Sequence, residues 1–208
     1  MTKILIIIFF SLLCSSCHFF EGKGPLYFSA KKENVDAIEV KPQSPEKKLA
    51  LLQREFFDIQ CLKCHNPDRP KRLDLTNPDN LNLYFDEILF RVTEAFKTGE
   101  GQMPPRGEEA PESIVKIYKE WKKEITYLSL QENFLKVSCL RCHNSERPNR
   151  LDLSSAKNIL ENYDDILYRI TEAHETSDGQ MPPSGEKPTT EQVHLLELYK
   201  KLVDDKAL

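Results

Sequence analysis

Methionine is scarce in this chain of 208 residues, which has only three, one of them the first residue. Long hydrophobic runs are also lacking, because the apolar stretch from Ile4 to Leu13 is too short for a transmembrane helix. There is no excess of positive charge: the formal net charge is −4, which argues against nucleic acid as the main partner. With 39% hydrophobic and 30% charged residues, the chain can build only a lean core.

Two short strings occur twice in this chain, each with the same separation of 78 positions. Cys61-Leu-Lys-Cys64-His65 returns as Cys139-Leu-Arg-Cys142-His143, and Met103-Pro-Pro returns as Met181-Pro-Pro. The two methionines other than the first residue therefore occupy the same place in two copies of one unit. Core filling, the usual role of a methionine, does not explain that coincidence.

The C-x-x-C-H string is typical of a c-type haem attachment site. Its two thiols form thioether bonds to the haem vinyl groups, and the adjacent imidazole ligates the iron. A methionine thioether at one fixed downstream offset is a natural sixth ligand. The sequence therefore predicts two haem c groups, with thioether bonds from Cys61, Cys64, Cys139 and Cys142. The predicted iron ligands are His65 with Met103 and His143 with Met181.

Other uses of paired cysteines are open at this point. The two C-x-x-C pairs could be disulfides or thioredoxin-like redox sites, and two C-x-x-C-H units could together hold zinc. Neither disulfides nor thioredoxin chemistry needs the histidine that follows each pair. A zinc site leaves the repeated Met-Pro-Pro unexplained.

Residues 1–16 are predicted to be a signal peptide of the lipoprotein type. Lys3 gives the positive end, and small residues stand before Cys17, which we expect to be lipidated after cleavage. An ordinary cleaved signal and an uncleaved short anchor are the alternatives. Cys14-Ser-Ser-Cys17-His18 also matches C-x-x-C-H, but no Met-Pro-Pro follows at the repeated spacing, so no third haem is predicted. Residues 17–43 are charged and irregular, which predicts a flexible tether.

The repeat divides the rest of the chain into two predicted domains, residues 44–126 and 127–208, of about three helices each. Ser44 and Pro45 suit the N-cap and first turn of a helix that runs into the first C-x-x-C-H string. Its buried face is predicted from helical spacing to consist of Leu49, Leu52, Phe56 and Ile59. The later helices are expected at Tyr84–Lys97 and Pro111 to about Lys123, and at Tyr163–Glu175 and Thr190 to about Asp204.

The junction between the two copies is open to two interpretations. No proline or glycine occurs from Glu112 through Cys142, so the last helix of the first copy could continue into the first helix of the second. A break near Tyr127 to Ser129, where helix propensity is lower, is the alternative. Trp121 and Tyr199 occupy equivalent places, and both are expected to pack in the core.

Within residues 61–105, more than half of the positions repeat identically 78 residues later. Each unit resembles a small cytochrome c domain, and Arg-Leu-Asp-Leu with a late Met-Pro-Pro is similar to planctomycete-type cytochrome c modules. The resemblance spans residues 46 to 205. It implies an all-α fold of two tandem domains wrapped around covalent haem, with His and Met as axial ligands and single-electron transfer. Asn66 and Asn144 stand where many relatives have glycine.

Several further residues are candidates for contacts around the haem. Repeated arginines could pair with haem propionates or with local carboxylates such as Asp74 and Asp152. The carbonyl of Pro70 or of Pro148 could orient the ligand histidine. His174 and His194 have no histidine counterpart in the first copy and are expected at the surface. The repeated arginines are Arg69, Arg72 and Arg91, with Arg147, Arg150 and Arg169.

The sequence therefore predicts an electron carrier rather than an enzyme. Two identical Met loops leave no open iron position for a substrate, which argues against a dihaem peroxidase; that enzyme and a haem-based sensor are the alternatives. We expect redox donor and acceptor proteins as partners, in the periplasm or the membrane. The protein is expected on the periplasmic side of a bacterial membrane, held there by the lipid anchor. The lean core predicts that the haem-free chain folds poorly.

Overall fold

The computed structural model describes residues 44–183 and 185–205, which belong to one compact unit. These residues form helices joined by turns and loops, with no β-strand among them, so the predicted all-α class is confirmed. The predicted signal peptide, the tether and the lipidation site at Cys17 lie outside the described residues. None of the helices in the described ranges is long and apolar enough to cross a membrane.

The helices follow one another in two similar sets. The first set is α1 (Pro45–Leu52), α2 (Asp58–Gln60), α3 (Pro78–Leu83), α4 (Phe85–Val92), α5 (Glu94–Thr98) and α6 (Glu112–Leu130). The second set is α7 (Ala156–Glu161), α8 (Tyr163–Ile170), α9 (Ala173–Thr176) and α10 (Thr190–Asp204). Two π-helical segments precede the C-x-x-C-H strings, the first at Gln53–Phe57 and the second at Gln131–Cys139.

The first π segment corrects the predicted buried face. Leu52 and Phe56 are buried as expected and Leu49 is half-buried, but Ile59 is 66% exposed and Phe57 takes the core position at 1%. The prediction for Ile59 was wrong because a π turn holds more residues than an α turn, which rotates the following side chains around the helix axis. The sequence pattern assumed 3.6 residues per turn throughout.

The predicted second helices are each split in two. α4 and α5 meet at Thr93, whose backbone is not helical (φ −130°, ψ −87°), and Thr171 repeats this between α8 and α9 (φ −121°, ψ −84°). Each threonine Oγ1 donates to the carbonyl four residues back, at 2.7 Å for Thr93 and 2.6 Å for Thr171. This side-chain bond competes with the helical backbone, and it bends both helices at the same place.

The junction between the copies is helical throughout. α6 runs for 19 residues, and the second π segment begins at the next residue, Gln131, without a change of backbone region. The break considered near Tyr127 to Ser129 is absent. α6 also packs against α1 and α10, and buried Lys48 of α1 pairs with Glu120 and Glu124 of α6. One helix therefore carries contacts for both halves of the described chain.

The core consists of two clusters that share α6. The first is built from buried Leu52, Phe56, Phe57, Cys61, Leu75, Leu81, Phe85, Ile88, Val92, Ala110, Ile117, Tyr118 and Trp121. The second is built from buried Leu130, Phe134, Leu135, Leu153, Ile159, Ile166, Ile170, Leu196 and Tyr199. Trp121 and Tyr199 are thus both buried, as predicted. Trp121 stacks on Tyr118, whose hydroxyl donates to the Leu81 carbonyl at 2.7 Å.

Candidate haem-binding sites

Each C-x-x-C-H string forms a tight turn at the end of its helical segment. The Cys64 N–H donates to the Cys61 carbonyl at 3.0 Å, and the His65 N–H donates to the same carbonyl at 2.9 Å. The turn beginning at Cys139 has the same two bonds, each at 3.0 Å. Cys61 is buried against the first core cluster, whereas Cys64 is exposed. Cys139 is half-buried against the second core cluster and Cys142 is half-buried as well, so the first thiol of each string lies at the edge of a core.

The first thiol of each string is unlike the reactive thiol of a thioredoxin-like site. None of Cys61, Cys64, Cys139 and Cys142 is in a disulfide. Burial raises the pKa of Cys61 to about 12 and that of Cys139 to about 11, because desolvation disfavours the thiolate. Thioredoxin-like attack needs a thiolate, and its pKa is lowered rather than raised. The electrostatics of these sites therefore favour structural or covalently modified cysteines.

Both predicted ligand histidines are held by the loop that follows them. Nδ1 of His65 lies 2.9 Å from the Leu73 carbonyl, and Nδ1 of His143 lies 2.9 Å from the Leu151 carbonyl. Because a carbonyl only accepts, Nδ1 carries the proton and Nε2 keeps the lone pair that a metal needs. The predicted partners, Pro70 and Pro148, were wrong: the chain reaches the ring three residues later.

The loop is pinned a second time through the histidine backbone. The Leu75 N–H donates to the His65 carbonyl at 3.1 Å, and Leu153 repeats this to His143 at 3.0 Å. Within the loop, Asp74 accepts from the N–H and hydroxyl of Thr76 at 2.9 and 2.7 Å. In the repeated Arg-Leu-Asp-Leu string, the carbonyl of Leu73 therefore contacts the imidazole. The aspartate accepts the hydrogen bonds that shape the turn and does not pair with an arginine.

Asn66, the residue after the ligand histidine, closes the helical segment. Its Nδ2 donates to the Leu62 carbonyl at 2.6 Å, and its Oδ1 accepts from the Asp68 N–H at 3.0 Å. Asn144 makes the equivalent bonds to Leu140 and Glu146 in the second copy. Asparagine satisfies a helix-end carbonyl that would otherwise lack a partner, which gives a physical reason for Asn at this position in both copies.

Each Met-Pro-Pro loop is tied to the preceding helix by an arginine. The Met103 N–H donates to the Arg91 carbonyl at 2.9 Å, and the Arg91 guanidinium donates to the Gly101 carbonyl at 2.9 Å. The guanidinium also donates to Glu87 at 2.5 Å. Arg169 holds Gly179, Met181 and Asp165 in the same way. For these two arginines, the alternative of pairing with a local carboxylate is the one observed, with Glu87 and Asp165, and their bonds to the glycine carbonyls brace each Met-Pro-Pro loop.

Gly101→Ala is expected to loosen the first Met loop more than Gly99→Ala does. Both glycines have positive φ, 73° at Gly99 and 72° at Gly101, so each alanine costs about 1–2 kcal/mol of backbone strain. A Cβ at Gly101 would also lie 3.1 Å from the Arg91 guanidinium, whereas at Gly99 it would meet nothing within 4 Å. Denaturant unfolding of both variants measures the difference.

Gly99→Ala is the matched control, because Ser177 stands at the equivalent position of the second copy with φ 57°. Equal losses of unfolding free energy in the two variants would contradict the role assigned to the arginine brace.

Polar atoms next to the methionines and apolar residues next to the cysteines in the sequence bear on whether a haem would fit. Oε1 of Gln102 and Oε1 of Gln180, each directly before a ligand methionine, are buried without a hydrogen-bond partner. Such orphaned atoms are rare, and rotation of the amide would present Nε2 as a donor to a carboxylate such as a haem propionate. Ile59 and Val137, each two positions before the first cysteine of a string, are 66% and 72% exposed. The residues present therefore fit an apolar group with carboxylate arms.

His174 is a site residue that the sequence analysis missed. It was expected at the surface, but it is half-buried and its Nε2 lies 2.8 Å from the Met181 carbonyl. The only signal in the sequence was its position seven residues before the methionine in the second copy, where the first copy has Phe96. His194 is exposed, as expected.

Two other arrangements were checked in the described part of the chain. No three His, Cys, Asp or Glu side chains are grouped there to hold a metal ion, so the zinc site considered above is not assembled. A groove of about 780 Å³ lies between α4, α6 and α10, lined by side chains such as Phe85, Lys119 and Leu202. It contains none of the predicted haem ligands.

Comparison of the chain with protein-family models, with curated proteins and with solved structures gave no match. Function is therefore inferred from the residues and their geometry.

Proposed function

We propose that this chain is a dihaem c-type cytochrome that transfers single electrons. Its two tandem cytochrome c domains, residues 44–126 and 127–208, would each hold one covalent haem. The observation that carries this proposal is that the same hydrogen bonds surround the predicted ligands in both copies. In each copy a C-x-x-C-H turn is followed by a loop carbonyl on the imidazole Nδ1. A methionine loop braced by an arginine completes each copy.

The cysteines and axial residues would divide the work in each domain. Cys61 and Cys64 would hold the first haem by thioether bonds, and Cys139 and Cys142 the second. Haem c, when bound, supplies an iron that takes up and gives back one electron. The loop carbonyl keeps the imidazole in the tautomer with Nε2 free and prevents the ring from turning, which raises its basicity as a ligand.

Each Met-Pro-Pro loop is held in place by hydrogen bonds to the preceding helix. A thioether is a neutral, weak ligand, so the chain must hold it in place. The backbone bond from Met103 to Arg91 and the arginine bond to Gly101 fix the loop from two directions. If histidine and methionine both bound the iron, no position would be left vacant for a substrate. This favours electron transfer over catalysis.

Exposed apolar residues support the same proposal. Phe90 and Tyr168 are equivalent positions on α4 and α8, and they are 47% and 43% exposed. Ile59 and Val137 form a second equivalent pair beside the attachment turns. Scattered exposed apolar residues are ordinary. Exposure at the same positions in both copies suggests that each copy uses them to contact the same kind of group. A porphyrin face is a contact of the required kind.

We also propose that the protein is exported, with residues 1–16 as its signal peptide, and is anchored by lipid on Cys17. Its redox partners would then lie in the periplasm or in the membrane.

The proposal is tested by counting haem in protein matured in a periplasm. Pyridine haemochrome quantitation with intact mass measurement is expected to give two covalently bound haems per chain. The resting optical spectrum should show low-spin, six-coordinate iron. Five-coordinate iron in the resting protein would instead point to a sensor or an enzyme.

A further inference from the structure

One hydrogen bond distinguishes the two Met loops. Nε2 of His174 lies 2.8 Å from the Met181 carbonyl, and the histidine is half-buried. A carbonyl cannot donate, so the ring nitrogen carries the proton and donates to the backbone of the ligand methionine itself. The bond therefore holds the backbone of the same residue whose side chain would bind the iron.

The first copy has no counterpart of this bond. Phe96 stands at the equivalent position and has no donor, and the Met103 carbonyl accepts no hydrogen bond from any described residue. Two other ties, at the methionine and at the glycine before it, are matched between the copies. The methionine N–H donates at 2.9 Å in the first copy and 3.0 Å in the second, and the arginine donates to the glycine carbonyl at 2.9 and 3.1 Å.

The far end of the loop also differs in one backbone bond. The Ala110 N–H donates to the Val92 carbonyl at 2.9 Å in the first copy, whereas Pro188 at the equivalent position has no N–H to donate. That bond holds the end of the first loop, whereas His174 donates to the carbonyl of Met181 itself.

The charged side chains at this end are similar in the two copies. In the second copy Lys187 pairs with Glu175 at 3.7 Å. In the first copy the equivalent residues are Glu109 and Lys97, with the charges exchanged. The pKa of Lys97 is raised mainly by its hydrogen bond to Glu94, with a smaller contribution from Glu109. Such exposed pairs contribute little to stability, which leaves His174 as the difference at the backbone of the methionine itself.

We propose that His174 is a positioning residue that makes the second iron–sulfur bond slower to open than the first. This inference rests on the proposed function, since it concerns the ligands of bound haem. For the methionine sulfur to leave, the loop must move, and in the second domain that movement also breaks the bond from His174. A typical net hydrogen-bond contribution corresponds to about a fivefold difference in rate. Small exogenous ligands would therefore enter the first domain before the second.

The test uses imidazole as the probe on oxidised, haem-loaded protein at one fixed pH. Loss of the sulfur-to-iron charge-transfer band is followed in time, and the phases are assigned by their absence in Met103→Ala and Met181→Ala. In the wild type we expect two phases of equal amplitude, the slower from the second domain. His174→Phe should bring the slow phase close to the fast one, while His174→Gln, which keeps a donor, should preserve part of the separation.

The reciprocal variant Phe96→His keeps the test decisive if His174→Phe is poorly folded, because it should slow only the first domain. Equal rates in the wild type, or acceleration of both phases together in His174→Phe, would overturn the positioning role. A wild type that holds two haems but has no sulfur-to-iron band would instead overturn the His/Met ligation proposed above.

Discussion

Met103→Ala is expected to lose half of the sulfur-to-iron charge-transfer band and to lower one of two reduction potentials. Methionine raises the potential of a c-type haem relative to other axial ligands. Its loss should lower that potential by on the order of 0.1 V, within the ~0.8 V range that axial ligands span. Redox-poised optical spectroscopy of the matured protein measures the band and both potentials together.

Met181→Ala is the matched partner, since the two loops have the same braces from Arg91 and Arg169. Each single variant should leave the potential of the other domain nearly unchanged, and the double variant should lose the whole band. Met103→His should keep six-coordinate iron while still lowering the potential. If neither single variant changed the band or a potential, the assignment of methionine as the sixth ligand would be wrong.

Replacing all four attachment cysteines with alanine is expected to abolish cooperative thermal unfolding. The core of this chain is divided between two clusters, and a single small core rarely supplies more than ~3–5 kcal/mol. Cys61 belongs to the first cluster, so haem loss removes apolar bulk at the edge of the core itself. Circular dichroism during heating should show a broad, shallow loss of helicity instead of a sharp transition.

Removing one pair at a time provides the internal comparison. Cys61→Ala with Cys64→Ala should halve the haem content and leave one of the two redox centres. Cys14→Leu is the control for cysteines in general, because Cys14 lies in the predicted signal and should hold no haem. Full helicity with a cooperative melt in the four-alanine variant would show that the polypeptide does not need haem to fold.

The sequence predicted most of the long helices. It did not predict which side chains each helix buries or where a helix is interrupted. α10 has the predicted bounds. Thr189 and Gln192 form a capping box, which fixes the residue at which this helix begins. Ile59 was placed inside since a regular α-helical period was extended through the π segment. Such a segment leaves no signature in the spacing of hydrophobic residues. In the sequence, nothing distinguishes Thr93 and Thr171 from ordinary helix residues. Only the structure shows that their hydroxyls donate to backbone carbonyls.

The residues of the candidate site could be selected from the sequence, but the groups that hold them in place could not. C-x-x-C-H and the repeated Met-Pro-Pro indicate chemistry through residue type alone. The Leu73 and Leu151 carbonyls are backbone atoms, so no residue type reports them, and the nearby prolines were the more conspicuous choice. His174 was dismissed because it breaks the repeat. The difference between the copies turned out to be the informative feature.

The continuous path from α6 into the second π segment has a consequence for electron transfer. α6 contributes side chains to the core cluster that contains Cys61. The π segment that continues α6 ends at Cys139, the first cysteine of the second string. In the proposed dihaem protein, the relative placement of the two haems would then be set by a helical connection rather than by a flexible linker.

In the proposed dihaem protein, this chain would bind each iron on both sides, with two haems per polypeptide. The decisive measurement is exposure of the reduced, native protein to carbon monoxide, with haem quantitation on the same sample. We expect two haems per chain and an unchanged spectrum, because histidine and methionine already occupy the axial positions. Protein with no haem, or with both irons binding carbon monoxide readily while the fold is native, would contradict the claim.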